Sequence, residues 1–350
     1  MSSLYYFEPL PGVSLVPWLE RVDGTFVEKV RDEVKNPFAH YTEAALADAD
    51  AAIVPNNFKQ LDSDSRAYIQ TCVDRAQAAG KPVFLFSCGD LTDKLRFDSR
   101  AYVFRLSTYR RVMTRQDIVI PTLTNDLGAK GVSARPYTTK AVVSFCGQAG
   151  YKTGKQWLRY YLKVVVYQAL GIFSATVRAR TIGVYWRRRM LASCRRSKRV
   201  DTKFVLRNSF SGAARTIELD PAQARREFID SIVESDFVLA PKGDGNYSNR
   251  FLEALSLGRV PVLLDTEVLL PLQDEIDYST FVVGVPMSKV GQTAKIIAEW
   301  YDAHTDDSWC ALQIRAREIY ETRLRFDSFF DYFFTSVLPR LPIDARENRR

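Results

Sequence analysis

The sequence predicts an α/β protein built from two tandem units, and three observations carry that prediction. Short apolar runs rich in Val, Ile, Phe and Tyr recur along the chain and stop at Pro, Gly, Ser or Asp, as strands do. Between them lie stretches whose apolar residues fall at helical spacing. The strand-like runs are apolar almost throughout rather than alternating, which suits parallel sheets covered on both faces. The length of 350 residues fits two domains.

In the first unit, Leu4–Phe7, Ala51–Val54, Val83–Phe86, Tyr102–Leu106 and Ile118–Ile120 read as strands. Asp62–Ala79 carries Ala67, Ile69, Cys72, Val73 and Ala76 at helical spacing, and Gly80 closes it. The polar segment Lys130–Lys140, KGVSARPYTTK, reads as an interdomain linker, so the expected division is 1–138, 139–307 and a closing segment 308–350. In the second unit, strands are expected at Ala141–Cys146, Lys203–Leu206, Phe237–Ala240, Val260–Leu264 and Phe281–Val283. Helices are expected at Gln156–Leu170, Pro221–Glu234, Asn249–Leu257, Lys289–Tyr301 and Ser308–Phe334. No short-period repeat is visible.

Apolar residues make up 46% and charged residues 26%, enough for a real core, which excludes disordered, collagen-like and low-complexity readings. The formal net charge of +8 fits an anionic partner, whether nucleotide, nucleic acid or acidic lipid surface. Five cysteines, Cys72, Cys88, Cys146, Cys194 and Cys310, lie far apart without a C-x-x-C pair, which argues against a disulfide framework or a zinc module. The two histidines, His40 and His304, have no ligand-spaced neighbour, so a histidine-based metal site is not expected. The N-terminus lacks the basic and apolar regions of a secretory signal. The longest uncharged run, Val164–Val177, has 14 residues, short of the roughly 18–20 that a spanning helix needs, and reads as a buried helix. From Arg178 to Lys203 ten basic residues stand against one acid, Asp201. This stretch reads as a solvated helix face or loop, as a face toward an anionic membrane, or, third, as a nucleic-acid contact; Trp186 at its centre favours the membrane over nucleic acid.

The run Asp236–Asp265, DFVLAPKGDGNYSNRFLEALSLGRVPVLLD, carries the chemistry. An apolar strand ends at Pro241, a loop with Gly243 and Gly245 follows, and a helix opens near Ser248. Glycines allow close backbone approach and positive φ, and a helix N-terminus offers free N–H groups to an anion. Lys242 and Arg250 bracket that end, so dipole, backbone donors and a guanidinium fork could hold a diphosphate together. Glu253, one turn beyond Arg250, could accept hydrogen bonds from a ribose diol, or could simply pair with Arg250 on the surface. The loop matches neither G-x-G-x-x-G nor G-x-x-x-x-G-K-[ST].

The segment PKGDGNYSNRFLEALSLGRVPVLL resembles the C-terminal motif of exostosin-like glycosyltransferases: a basic residue and Gly after a strand, a Ser, Arg-Phe-x-Glu-Ala-Leu, a small-residue turn and Pro-Val. LLPLQDEIDYSTFVV is similar to that family's continuation, and VVSFCGQAGYKTGKQWLRYYL to its strand, glycine loop and arginine-bearing helix, here with Gly147, Gly154 and Arg159. ADADAAIVPNNF and RQDIVIPTL are similar to shorter N-terminal pieces, so the resemblance spans residues 40–285.

The resemblance implies two facing Rossmann-like domains, a GT-B-type glycosyltransferase fold, with a C-terminal helix returning to the N-terminal domain. It implies inverting transfer from a UDP-sugar, without a metal or other cofactor, to a hydroxyl of a glycan or lipid-linked saccharide. Carried over residue by residue, Lys155, Arg159, Lys242 and Arg250 would neutralise the leaving diphosphate, with Gly243, Ser248 and Asn249 contacting it and Glu253 holding the ribose. Arg250 is thereby expected to be catalytic. Asp90, in the Cys88-Gly89-Asp90 loop after a strand, is the candidate general base, against a role in the turn itself. Animal and plant members of that family are mostly anchored by an N-terminal membrane helix. None is visible here, and a glycan on Asn246 of Asn246-Tyr247-Ser248 would block the loop. A cytoplasmic enzyme is therefore expected, peripheral at the membrane through 178–203, with no nucleic-acid partner. The alternative is a catalytically silent relative, or an anionic-polymer binder acting through that stretch.

Overall fold

Two parallel sheets organise the computed structural model, which describes residues 3–16, 18, 41–90, 92, 97–129, 131–209 and 220–347. The first unit takes the chain up to Leu123, Leu269–Leu272 and the chain from Thr322 onward; the second takes Thr124–Val268 and Gln273–Glu321. Each is a Rossmann-like α/β layer, the class expected.

The first unit contains β1 (Ser3–Tyr6), β2 (Thr42–Glu43), β3 (Ala51–Asn57), α1 (Ser63–Ala78), β4 (Val83–Ser87), β5 (Tyr102–Arg105) and β6 (Asp117–Val119). Its described strands lie in the order β2-β1-β3-β4-β5-β6, every neighbouring pair parallel. Asp62 caps α1 by accepting from the Ser65 amide. The apolar stripe Ile69, Cys72, Val73 and Ala76 packs on one face of the sheet against Val83, Leu85 and Val103. The aromatic residues Phe84, Phe86 and Phe104 point to the other face.

The second unit contains β7 (Ala141–Gln148), α2 (Gly154–Leu170), α3 (Ala175–Ala179), α4 (Gly183–Arg196), β8 (Val200–Arg207), α5 (Pro221–Val233), β9 (Phe237–Leu239), α6 (Asn249–Ser256), β10 (Val260–Asp265), β11 (Val283–Pro286), α7 (Thr293–Asp302) and α8 (Asp306–Ile319). The strand order is β11-β10-β9-β7-β8, again parallel throughout. The chain moves from β7 to β8 on one side and then to β9 on the other. The order therefore reverses between β7 and β9, and their carboxyl ends open a crevice of the kind where α/β sheets bind ligands.

The run Val164–Val177, expected as a buried helix, instead ends α2, which has no buried residue, and the organisation of the chain departs from the sequence expectations in three further places. The segment 131–140 lies inside the second unit, and the division falls at Leu123. The reason is electrostatic. Arg135 Nε donates to the fully buried Asp236 at 3.0 Å, and Asp236 also accepts the Val142 amide at 2.7 Å. Gln313 exchanges two hydrogen bonds with the Arg135 backbone, and Arg317 pairs with Asp126. Secondly, the basic stretch runs from the end of α3 through α4 into β8, and α4 turns Trp186 fully inward, so Trp186 presents no surface to a membrane. Thirdly, the expected helix Ser308–Phe334 is two helices. The backbone widens into a π turn at Tyr320–Leu324, Arg325 is extended, and α9 (Phe326–Tyr332) follows as part of the first unit.

There Phe329, Phe330, Phe333 and Phe334 pack against Phe84 and Phe104 of the sheet. The C-terminal aromatic segment thus supplies part of the first unit's core, on one face of its sheet. Phe330→Ala should lower the unfolding free energy by about 3–5 kcal/mol, the usual cost of emptying a buried phenylalanine site, measured by chemical denaturation.

Candidate functional site

At the carboxyl ends of β7 and β9 the chain brings together residues that are far apart in sequence. The central contact is Arg250, the second residue of α6. Its Nε and Nη2 donate to the Cys146 carbonyl at 3.2 and 2.9 Å, and its guanidinium lies 4.6 Å above the centroid of the Phe145 ring. That position requires a glycine next to Cys146. Gly147 has φ +145°, and a Cβ there would meet Arg250 Nη2 at 2.3 Å. The positive φ expected in the loop after β9 is found here instead; neither Gly243 nor Gly245 adopts it.

A second guanidinium enters from α4. Arg187 is buried and donates to the carbonyls of Gln148 at 3.2 Å and Lys242 at 3.3 Å, stitching the loop after β7 to the loop after β9. The start of α4 presses on the same loop: a Cβ on Gly183 would stand 2.5 Å from the carbonyl oxygens of both Lys242 and Gly243. Burial, with Arg250 adding repulsion, pushes Arg187 down to about 10, against the pull of Asp244 and Tyr151. It stays charged at neutral pH. Among the described residues neither Arg187 nor Arg250 forms an ion pair with a carboxylate.

Lys242 is also buried, and its Nζ donates to the Ala179 carbonyl of α3 at 3.0 Å. Burial pushes it down to about 8, opposed by Asp244 and reinforced by Arg180. Glu253 pairs with Arg225 of α5 at 3.6 Å rather than with Arg250, which corrects the expected surface pair. Its carboxyl is pushed up by burial and held back by Arg225 and Arg250.

Ser248 is the N-cap of α6, with extended backbone, yet its hydroxyl makes no capping bond. Ser248 Oγ and Asn249 Oδ1 are both buried and have no hydrogen-bond partner among the described residues. Two orphaned polar atoms at a helix N-terminus, beside the buried Arg187 and the partly buried Arg250, neither in an ion pair with a described carboxylate, suit an anion with several oxygens. Asn246 is buried, with Nδ2 donating to the Thr266 carbonyl and Oδ1 accepting from the Thr266 hydroxyl, so it is closed to glycosylation in this fold.

The other residues singled out in the sequence fall elsewhere. Lys155 and Arg159 are exposed on α2, with no hydrogen bond or ion pair to a described residue. Gly243 has room for a side chain, its nearest neighbour being the Tyr247 carbonyl at 3.8 Å. Asp90 is exposed in the turn at the carboxyl end of β4, where Gly89 has φ +139°. Cys72, Cys88, Cys146 and Cys194 are buried, His304 bonds the Trp300 carbonyl, and His40 lies outside the described residues. Among the described residues no three His, Cys, Asp or Glu side chains come together as a metal would need. Arg187, within the basic stretch of the sequence, joins the candidate site through its two carbonyl contacts. Its position was recoverable, because it shares the stripe Gly183, Trp186, Arg187, Met190, Cys194 at helical spacing, the buried face of α4.

A Rossmann-like unit that gathers cations at its switch point places them where α/β sheets of this kind bind their ligands. The family model for the Exostosin GT47 domain matches residues 98–300, and the chain belongs to that family: it is a nucleotide-sugar-dependent glycosyltransferase. Among solved structures, it is similar to a glycosyltransferase from Rickettsia africae ESF-5, with 8% identity over 99% of this chain and 99% of that one and a TM-score of 0.38. It is also similar to Anabaena Alr3699/HepE in complex with UDP-glucose, with 10% identity over 97% and 100% of the two chains and a TM-score of 0.37. A further likeness is to the catalytic domain of Starch Synthase IV from Arabidopsis thaliana, with 8% identity over 83% and 73% and a TM-score of 0.34.

Gly147 and Gly243 should respond differently to the same change. Gly147→Ala must leave a glycine-only conformation and displace Arg250, costing about 1–3 kcal/mol, whereas Gly243→Ala should cost much less. Paired chemical denaturation curves decide this.

Proposed function

We propose that this glycosyltransferase transfers a sugar, with inversion, from a UDP-sugar to a hydroxyl of a glycan or lipid-linked saccharide. The observation that carries the reading is the pair of orphaned buried atoms, Ser248 Oγ and Asn249 Oδ1, beside Arg250 and Arg187, which form no ion pair with a described carboxylate. The acceptor oxygen attacks the anomeric carbon from the face opposite the diphosphate. The new C–O bond forms as the bond to the diphosphate oxygen breaks, and UDP leaves with that electron pair.

Negative charge grows on the departing diphosphate. Arg250, Arg187 and Lys242, with the amides and side chains at the start of α6, are the groups that stabilise it, fixed in advance by their carbonyl contacts. Glu253 is the proposed partner of the ribose hydroxyls. The acceptor proton goes to a general base, for which Asp90 is the proposed residue. This route asks for no metal, because the leaving-group charge is met by side chains.

UDP should raise the unfolding temperature, since a ligand that binds only the folded state stabilises it by about 2.7 kcal/mol at a hundred times its Kd. Arg250→Ala should abolish that shift. Asp90→Asn should keep it while lowering turnover by about 10²–10⁴-fold. A protein that responds to no nucleotide would end this reading. A pH series tests Lys242 separately. Its ammonium is held down to about 8, and an anion favours the charged form, so UDP affinity should fall as pH rises through that value. Titration calorimetry should show that fall in the native chain and a flatter profile in Lys242→Met.

A further inference from the structure

We propose that the outward face of α2 docks on the surface of an anionic lipid bilayer. This goes beyond the transfer reaction and would hold for any enzyme carrying this helix. The helix has no buried residue along its whole length. Leu158, Leu162, Val166 and Leu170 recur every fourth position and are all about half exposed, and the turn that follows projects Ile172 at 79% and Phe173 at 89% exposure. Isolated exposed apolar residues are ordinary in proteins, but a continuous row ending in two almost bare side chains is an interaction surface.

Charge selects the occupant. Lys155, Arg159 and Lys163 form a second row at the same four-residue period beside the apolar one, and none has an ion-pair partner among the described residues. From Ala141 to Val200 the sequence contains no Asp or Glu at all. An apolar row flanked by a cationic row is the arrangement of a helix lying in the plane of a membrane interface, with apolar side chains among the acyl chains and cations at the headgroups. Stacked Trp157 and Tyr161 add amphipathic rings of the kind that settle at that depth. At about 1.5 Å per residue the helix is roughly 25 Å long and carries cations along its side, so it lies on the bilayer instead of crossing it. No helix among the described residues is long and apolar enough to cross a membrane. A second copy of the chain is the poorer occupant, because a two-fold contact would set the same three cations against themselves.

The basic stretch 178–203, expected from sequence to make this contact, is less suited to it. Arg187 is buried in the site, Arg199 pairs with Asp302 at 2.7 Å, and Lys203 pairs with Glu234. Trp186, its only tryptophan, is internal.

The test is co-sedimentation of the full chain with vesicles of phosphatidylcholine and with vesicles of phosphatidylcholine mixed with phosphatidylglycerol. Retention by the mixed vesicles, weakened by salt, is expected. The double variant Leu162→Ser/Phe173→Ser should bind them at least about tenfold more weakly, since two apolar side chains no longer leave water. Its unfolding temperature and its response to UDP should match the native chain, which separates failure of docking from failure of the nucleotide site. Arg195→Gln/Arg196→Gln on α4 should bind within about twofold of the native chain, a small loss of surface charge. Equal or absent retention by both vesicle types would overturn the proposal. So would a self-association that the Leu162/Phe173 variant abolishes, or an α4 variant that loses binding while the α2 variant keeps it.

Discussion

The second unit depends on one contact: the guanidinium of Arg250 resting on the Cys146 carbonyl and over the Phe145 ring, reached across a residue that can only be glycine. It joins the first strand of the sheet to the helix that follows the third, 104 positions later in the chain. Arg187 makes the corresponding stitch between the Gln148 and Lys242 carbonyls, and Gly183 lets α4 close on the same loop. Each guanidinium spends its donors on backbone carbonyls. Its charge is therefore positioned without being neutralised, the condition for an electrostatic site that needs no rearrangement when an anion arrives.

The surplus of positive charge has three fates, set by burial. In the site, Arg187, Lys242 and Arg250 are desolvated and pushed toward lower proton affinity, a cost that a bound diphosphate would offset. On the surface near β8 and α7, Arg199 and Lys203 are matched by acids and contribute little beyond solubility. On α2, cations without an ion-pair partner among the described residues stand beside exposed apolar side chains. The same residue type thus serves leaving-group stabilisation, neutral surface and proposed lipid contact, according to what surrounds it.

Much of the fold was legible in the residues. The ten strands read from apolar runs all appear, most within a few residues, because a strand buried on both faces needs an unbroken apolar run. The helix opening at Asn249 and the loop before it follow from Ser248 and the pattern behind it. Less legible were the places where distant polar groups decide. Arg135, Gln313 and Arg317 drew an apparently linker-like segment into the second unit. The break before α9 was hidden inside a continuous helical pattern.

What the sequence by itself determined is everything set by neighbours along the chain: strand and helix positions, the capped helix after a glycine-bearing loop, the family motif, and the excess of cations. These follow from periodicity, capping and backbone freedom, which act over a few residues. What only the tertiary structure decided is which cations meet. Arg250 finds Cys146, Arg187 finds Lys242, and Lys155 and Arg159 stay on an open helix face. A charge count cannot distinguish these outcomes, because burial and partners are properties of segments brought together by the fold, and they alone set what a guanidinium or an ammonium can do.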